Sequence, residues 1–263
     1  MVARKQKRSA VLIVNPGAGR ASQARRSEVI AAARERLDID VFETDGPTSG
    51  IEITKRAIKD GAELVIAFGG DGIVNEVANG ASGSAAAVGI LPGGTMNVLA
   101  RDLGIPADAI SAVAHLDRAL EAEPRTIPLG RLDDRLFTFS AGCGFDAEAA
   151  EVVEAHARSK RLLGELFFYL SALRVLAGSY RHRGPSMTLT GEFGTVEVSM
   201  AITCNAGPYA YLLDKPVRLT PEVDLDGGLD LFALKRMRLE ALPFYAFKAV
   251  LGGLNDHPDA FYA

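Results

Sequence analysis

The residue that most suggests chemistry is a carboxylate set among glycines, Asp71 in the stretch Gly69-Gly70-Asp71-Gly72. Glycines at a strand-to-helix turn let backbone N–H groups come close to a phosphate. A carboxylate beside phosphates would repel them unless it acts through Mg²⁺ or accepts a proton. The structural alternative is that Asp71 caps a helix beginning at Gly72. The loop therefore predicts either phosphate chemistry or a helix cap.

Three more glycine-rich turns follow predicted strands, at Asn15-Pro16-Gly17, at Leu91 to Thr95 and at Gly142 to Asp146. Turns that share one edge of a sheet would form a cradle for a phosphate chain. Each turn taken singly is equally explained by the glycine that a tight turn needs. Polar residues on the helical turns that follow could cap those helices or reach a nucleotide: Asn75, Glu76, Thr95 and Asn97.

A second group of carboxylates lies in the loop Asp224-Leu225-Asp226-Gly227-Gly228-Leu229-Asp230. Loops rich in oxygen ligands suit Mg²⁺ or Ca²⁺. The alternative is a solvated acidic turn before a strand over residues 229–234. The four histidines show no ligand spacing, so the chemistry is expected to depend on carboxylates.

Composition narrows the class of protein and its partners. The chain has 263 residues, 48% of them apolar, and a net charge of −4, which gives no basic field for nucleic acid. Two cysteines make neither a disulfide framework nor a metal site, which favours a reducing cytoplasm. No signal peptide or bilayer-spanning run is visible, so we expect any lipid to be reached from the water side. The basic run from Arg4 to Arg8 is interpreted as a solvated tail, with contact to an anionic membrane as the alternative.

The order of predicted elements indicates two domains. Predicted strands at 9–14, 41–42, 64–68 and 87–91 alternate with predicted helices at 21–37, 50–60, from 74, 96–103 and 109–121. This alternation predicts a parallel sheet covered on both faces. Predicted strands at 127–132, 136–141, 187–189, 196–203 and 229–234 then follow without regular helices between them. We expect an α/β nucleotide-binding domain over residues 1–124 and an antiparallel β-rich domain over residues 125–263.

One long helical stretch, from about residue 147 to 180, interrupts the second set of strands. Its part from Lys160 to Tyr180 carries a broad apolar stripe that includes Leu162, Leu166 and Leu173. Burial against the second sheet is the first interpretation. Because basic residues flank the stripe, a lipid-facing wall or a peripheral membrane contact is the second.

Six motifs, in order from about residue 10 to residue 250, resemble those of the diacylglycerol-kinase catalytic-domain family. Gly69 to Val77 resembles GGDGTxNEV, and Leu91 to Pro106 resembles LPxGTxNxxARxLGIP. The other four lie at 14–19, 142–147, 205–209 and 221–230. The family includes bacterial diacylglycerol kinases and sphingosine and ceramide kinases. Its nucleotide-binding domain is similar to those of NAD kinases and phosphofructokinases, although the later motifs argue against a soluble substrate.

The resemblance implies transfer of the γ-phosphate of ATP, with Mg²⁺, to a hydroxyl of diacylglycerol or a related lipid in phospholipid biosynthesis. It implies a cytoplasmic enzyme that acts at a membrane surface, and a homodimer is a further expectation. Asp71 is expected to be the catalytic carboxylate, as the best remaining candidate for metal or base work. The implied nucleotide contacts are Asn15, Pro16, Gly17, Thr44, Gly69, Gly70, Asp71, Gly72, Ile73, Val74, Asn75 and Thr95. The implied metal-binding positions are Asp224, Asp226 and Leu229.

The sequence departs from the family pattern in three places. Ile73 replaces a threonine near the phosphates, and Gly227 replaces the second aspartate of an LDDG motif. Family members also continue to a later DGE motif whose aspartate is held to be the general base. The expectation is therefore an incomplete second domain, weak turnover, and an exposed apolar edge at residues 229–234 that favours self-association. The alternative function is a nucleotide-binding relative without catalysis.

Overall fold

The computed structural model describes residues 9–17, 23–155, 184–212 and 215–263, together with positions 171, 173–175 and 178. These residues form two compact units. The first contains the described residues up to 127 and residues 133–138. The second contains residues 128–132 and the described residues from 139 onward.

The first unit is built on a parallel sheet of four strands. These are β1 (Ser9–Val14), β2 (Asp38–Glu43), β3 (Leu64–Gly69) and β4 (Ala87–Pro92), in the order β2-β1-β3-β4. All six residues of β3 are buried, as a continuous apolar run in a central parallel strand predicts. Because Phe68 lies opposite both Val14 and Leu91, the carboxyl ends of β1, β3 and β4 meet at one edge.

Helices cover both faces of this sheet. They are α1 (Gln23–Arg36), α2 (Ser49–Lys59), α3 (Asp71–Ala81), α4 (Val98–Asp102) and α5 (Ala109–Ala119). α1 and α5 bury Val29 and Val113 against alternate strand residues such as Leu12 and Ile66. The intervening strand residues, such as Ile13, are buried as well, and α2 packs on α3, which contacts β3. The predicted parallel α/β fold is confirmed.

The second unit is mostly antiparallel. Its main sheet has the order β14-β13-β10-β7, formed by β7 (Ser140–Gly144), β10 (Met200–Cys204), β13 (Asp230–Leu234) and β14 (Ala260–Tyr262). Two hairpins accompany it, β8 (Met187–Gly191) with β9 (Gly194–Val198), and β11 (Ala210–Leu212) with β12 (Lys215–Val217). The helices are α6 (Phe145–Ala155) and α7 (Leu242–Leu251), the latter after a 3₁₀ turn at Leu239–Ala241. The predicted β-rich second part is confirmed. Short strands β5 (Gly130–Leu132) and β6 (Arg135–Phe137) lie on either side of residues 133–134.

Two predicted strands are wrong in extent. The run 196–203 is not one strand, because β9 ends at Val198 and β10 begins at Met200, and the two belong to different sheets. Ser199 between them donates its N–H to the Leu234 carbonyl at 2.9 Å. The run 136–141 is likewise divided between β6 and β7. Ser199 stands at the first break and Thr138-Phe139 at the second, but one serine or threonine in a mostly apolar run is too weak a turn signal to predict either break.

The expected exposed edge at residues 229–234 is also wrong. β13 pairs with β10 on one side and with β14 on the other. Leu231 and Ala263 exchange backbone hydrogen bonds of 2.7 and 3.0 Å, and Phe232 is fully buried. The short strand β14 was not predicted, and it removes the basis for expecting self-association at this edge.

The described residues set limits on the membrane hypotheses. Within them, no helix combines the length and apolar character needed to cross a bilayer. Most of the predicted helical stretch 147–180 lies outside the described residues, and so does the basic run at the N-terminus. Leu173 of the apolar stripe is described, and its side chain is exposed.

Candidate functional site

Three glycine-rich turns of the first unit meet at the carboxyl edge of the sheet. Backbone hydrogen bonds connect them there. The Asn15 N–H donates to the Phe68 carbonyl at 3.2 Å, and the Gly93 N–H donates to the Gly69 carbonyl at 2.8 Å. Thr44 joins the same edge, because its N–H donates to the Val14 carbonyl at 2.9 Å. The structure thus brings together the predicted nucleotide contacts of the first unit.

The turn after β1 is shaped by its own side chain. The Gly17 N–H donates to Asn15 Oδ1 at 2.9 Å, which closes an Asx turn. The carbonyl of Pro16 accepts a hydrogen bond from the Arg26 guanidinium at 3.2 Å. Asn15, Pro16 and Gly17 therefore form a fixed loop at the sheet edge.

The turns after β3 and β4 touch each other through glycine. A Cβ atom placed on Gly94 would lie 2.5 Å from the Gly70 Cα atom. This distance is too short for a van der Waals contact, so only glycine fits at position 94. Asn97 closes the second turn, with Oδ1 accepting from the Gly94 N–H and Nδ2 donating to the Gly94 carbonyl, each at 2.9 Å. Asn97 is thus a loop-closing residue in this structure.

The amino end of α3 is open. Gly70 is its N-cap residue and has no side chain that could cap the first N–H groups of the helix. Gly72, in the first turn, is exposed, and a Cβ atom there would meet nothing within 4 Å. Uncapped N–H groups and the positive end of the helix dipole form a favourable place for an anion.

Asp71 is not the N-cap residue of a helix that begins at Gly72, so that interpretation is wrong. It is the first residue of α3, and its Oδ1 accepts the Val98 N–H at 2.6 Å. It therefore caps α4, whose own N-cap residue Asn97 provides no side-chain cap. Burial raises the pKa of the Asp71 carboxyl, although backbone hydrogen bonds from Val98 and Asn97 act to lower the pKa. Asp71 thus ties the β3 turn to the β4 turn and remains the proposed catalytic carboxylate.

The next polar residues of α3 hold other segments of the same unit. Asn75 Oδ1 accepts the Thr138 N–H at 3.0 Å. Asn79, which the sequence analysis did not single out, exchanges two hydrogen bonds of 2.9 Å with the backbone of Leu136. Ile73 and Val74 point into the core, with exposed fractions of 2% and 4%. A nucleotide would therefore meet the backbone of these two residues.

Glu76 caps a different helix. The N-cap residue of α2, Thr48, has no side-chain cap of its own. Glu76 supplies one instead, with Oε1 accepting from the Thr48 N–H at 3.3 Å and Oε2 from the Gly50 N–H at 2.8 Å. Its place in the sequence motif is thus explained by loop closure in the first unit.

Replacing Glu76 with alanine is expected to lower the free energy of unfolding by about 1–2 kcal/mol, because two N–H groups of α2 lose their acceptor. Urea denaturation followed by circular dichroism measures this change. Glu52→Ala is the matched control, since Glu52 lies exposed in the first turn of α2, and its change should stay within about 0.5 kcal/mol. Equal effects of the two substitutions would contradict the capping role.

The remaining nucleotide candidates are more open. Thr95 is exposed on the turn after β4, and Thr44 is half-buried after β2, at the other end of the strand order. Gly69 ends β3 and Gly70 follows it. Together with the open end of α3, these positions place backbone N–H groups and two threonine hydroxyls at the edge.

The acidic loop of the second unit forms a turn. Asp224 Oδ1 accepts the Asp226 N–H at 2.7 Å, and the Asp224 carbonyl accepts the Gly227 N–H at 3.0 Å. Asp230 instead accepts a hydrogen bond from the Tyr262 hydroxyl. Among the described residues, no group of three or more His, Cys, Asp or Glu side chains could hold a metal ion. Mg²⁺ at Asp224, Asp226 and Leu229 therefore stays a prediction, and this donor set alone does not make a complete site.

A buried polar pair in the second unit had no role assigned from the sequence. The Tyr209 hydroxyl donates to Asp146 Oδ1. Burial raises the pKa of the Asp146 carboxyl, while the hydrogen bond from Tyr209 acts to lower it. Burial likewise raises the pKa of the Cys204 thiol to about 11, which keeps it protonated. Asp146 lies in the family-like motif at 142–147 and Tyr209 in the one at 205–209. Membership in these motifs is the sequence signal that could have identified the pair.

Comparison with known proteins places this site in a family. Residues 9–132 match the model of the diacylglycerol kinase catalytic domain. The diacylglycerol kinase of Bacillus subtilis (strain 168) is 31% identical over 201 residues, covering 74% of this chain and 62% of that protein. The diacylglycerol kinase of Staphylococcus carnosus (strain TM300) is 26% identical over 174 residues, covering 65% and 55%. The matches span less than two thirds of the length of these two relatives.

A solved structure of a diacylglycerol kinase from Bacillus anthracis str. Sterne has the same fold. It superposes with a TM-score of 0.72 at 23% identity, covering 99% of this chain and 85% of that one. Over residues 9–132 the chain matches the diacylglycerol kinase catalytic domain family, and relatives named diacylglycerol kinase are similar to it. The resemblance drawn from the sequence motifs is confirmed.

Proposed function

We propose that this chain is a lipid kinase that binds ATP·Mg²⁺ at the carboxyl edge of the first unit's sheet. One observation carries the nucleotide part of the proposal. Gly72 lies in the first turn of α3, where alanine would be the better helix former. A Cβ atom there would meet nothing within 4 Å, so packing within the protein does not require glycine. A ligand that approaches the backbone there accounts for the glycine.

The chain's own groups would divide the work of binding. The open N–H groups of α3 face the phosphates, and the Asn15 to Gly17 and Gly93 to Thr95 turns enclose them on the two neighbouring strands. Their fixed hydrogen bonds mean that little reorganisation is needed when charge develops. ATP would supply the phosphoryl group, and Mg²⁺ bound with it would neutralise charge on the phosphate oxygens.

The reaction would form a bond between a lipid hydroxyl oxygen and the γ-phosphorus, and break the bond from that phosphorus to the β-phosphate bridge oxygen. The hydroxyl proton needs an acceptor. Asp71 is the candidate in the first unit, because its raised pKa makes it a stronger base than an ordinary carboxylate. Alternatively, we propose that Asp71 is a ligand of Mg²⁺.

The acceptor is proposed to be diacylglycerol or a related lipid, because the curated relatives are named diacylglycerol kinases. We accordingly place the chain in the cytoplasm, acting on a membrane surface as part of lipid metabolism, without a nucleic-acid partner. A homodimer is a further proposal. The two-unit division near residue 127 supports separate nucleotide and lipid roles for the two parts.

Titration calorimetry tests the nucleotide proposal. ATP·Mg²⁺ is expected to bind with a dissociation constant between about 1 µM and 1 mM, a free energy of about −8 to −4 kcal/mol. No heat and no thermal shift at millimolar ATP would exclude it. A second assay adds radiolabelled ATP to mixed micelles of diacylglycerol, monoacylglycerol or sphingosine. If ATP binds but no lipid becomes labelled, the result would favour the alternative function, in which the chain binds nucleotide without catalysis.

A further inference from the structure

The helix α7 carries a concentrated group of exposed apolar side chains. Phe244, Phe247 and Leu251 are exposed by 43%, 60% and 65%. Their spacing of three and four residues puts them on one face of the helix. The other large apolar side chains that are exposed lie on separate elements or loops, so only α7 gathers three of them within the described residues. Such a face marks a surface that meets an apolar partner.

The opposite side of α7 is anchored, so the exposed face is a feature of the packed protein. Tyr245 is 4% exposed, and its ring meets the His257 ring edge-on, with centroids 5.2 Å apart. Its hydroxyl reaches the Arg236 carbonyl at 3.5 Å. Because Tyr245 fixes the rotation of the helix, Phe247 and Leu251 are held outward.

The segment around α7 has a small excess of basic residues in a chain whose net charge is −4. Lys248 lies between the apolar residues, with Nζ 5.9 Å from the centre of the Phe244 ring. The segment 235–253 contains four basic residues, Lys235, Arg236, Arg238 and Lys248, and a single acidic one, Glu240. Just beyond it, Asp259 pairs with Arg238 at 3.5 Å, and Asp256 is exposed. The local excess is therefore basic, which complements an anionic surface.

A cavity of about 170 Å³ opens beside the last residue of this face. Leu251, Gly252, Gly253, Asn255 and Arg218 are among its lining residues. Arg218 is exposed. A guanidinium next to an apolar side chain suits a phosphodiester at the boundary between headgroups and acyl chains.

We propose that the α7 face docks on an anionic phospholipid bilayer. Phe244, Phe247 and Leu251 would enter the boundary between headgroups and acyl chains, while Lys248 and Arg218 would meet the phosphates. A second copy of the chain is a poorer occupant, because a two-fold contact would bring the two basic faces together. The inference rests on the proposed action at a membrane surface and adds which face of the chain makes the contact.

Vesicle flotation of the full chain tests this proposal. Vesicles containing phosphatidylglycerol with phosphatidylcholine should carry the protein upward, and vesicles of phosphatidylcholine alone should do so far less. Phe247→Ser combined with Leu251→Ser should weaken the partition by about a hundredfold, roughly tenfold for each apolar side chain removed. Lys248→Gln should weaken it about fivefold and reduce the salt dependence, because Arg218 alone then meets the phosphates.

Phe42→Ser is the matched control, because Phe42 lies on β2 with a comparable exposed fraction of 46%. Its partition should equal that of the unchanged chain. Circular dichroism and ATP titration on every variant establish that the fold and the nucleotide site are intact. No flotation of the unchanged chain, or equal flotation of the double variant, would overturn the proposal. A dimer that the double variant dissociates without vesicles would overturn it in favour of a second copy.

Discussion

Gly72→Ala is expected to leave the protein folded, with equal or slightly higher stability, and to weaken ATP binding at least tenfold. The new methyl group meets nothing within 4 Å in the protein, and the position is helical. Alanine in place of glycine inside a helix typically adds about 0.5–1 kcal/mol of stability. The same methyl group would occupy the space through which a phosphate approaches the N–H groups of α3. Loss of binding with retained stability would then be a direct sign of a ligand.

Two comparison variants make the Gly72 result decisive. Gly184→Ala also adds a methyl group in open space, but in the second unit, and should change neither ATP binding nor stability. Gly94→Ala places a methyl group 2.5 Å from Gly70 Cα and must push the two turns apart. It should lower both ATP affinity and the free energy of unfolding, the latter by about 1–3 kcal/mol. Calorimetry and urea denaturation measure both quantities, and unchanged ATP affinity in Gly72→Ala would reject the phosphate cradle.

Local sequence signals predicted the first unit well because its sheet is built from local patterns. A six-residue apolar run such as β3 needs no distant partner to be identified as a buried strand, and glycine turns mark where each strand ends. The carboxyl edge follows from the alternation of strands and helices alone. The gathering of Asn15, Thr44, Gly70 and Thr95 could therefore be predicted before any coordinates.

Local sequence patterns did not predict the roles of individual polar side chains. Glu76 caps a helix 26 residues earlier in the chain, and Asp71 caps one that begins 27 residues later. Both capping residues belong to α3. A capping residue is usually sought directly before the helix that it caps, so this rule does not identify them. Such contacts depend on tertiary packing, which spacing along the chain does not encode.

The second unit was predicted less well for a related reason. Its sheet pairs strands that are distant in sequence, as β7 with β10 and β13 with β14. The three-residue strand β14 carries too little pattern to identify. The helix α7 was missed because apolar residues occupy almost all of Leu242–Leu251, which conceals the helical periodicity. That same composition leaves the exposed face from which membrane docking is inferred.

Asp71→Asn is expected to abolish phosphoryl transfer, by at least about a hundredfold, while the chain stays folded. The amide oxygen can still accept the Val98 N–H, so the cap on α4 is kept, whereas the charge and the basic site are removed. Asp71→Ala removes the acceptor as well and should cost about 1–2 kcal/mol of stability besides the activity. The two variants thereby separate the chemical role of the carboxylate from its structural role.

The pH dependence of stability provides a second readout for Asp71. Its pKa is raised by burial in the folded state, so the folded protein holds this proton more tightly than the unfolded chain does. The stabilisation from the protonated carboxyl is therefore fully present below the ordinary pKa and is lost as pH rises through the raised value. Asparagine mimics the protonated form at every pH. Urea denaturation should show Asp71→Asn at least as stable as the unchanged chain at neutral pH, with the difference shrinking in acid. If Asp71→Asn is less stable at neutral pH, the charge of Asp71 contributes to folding. If the variant retains full lipid phosphorylation, Asp71 is not the catalytic carboxylate.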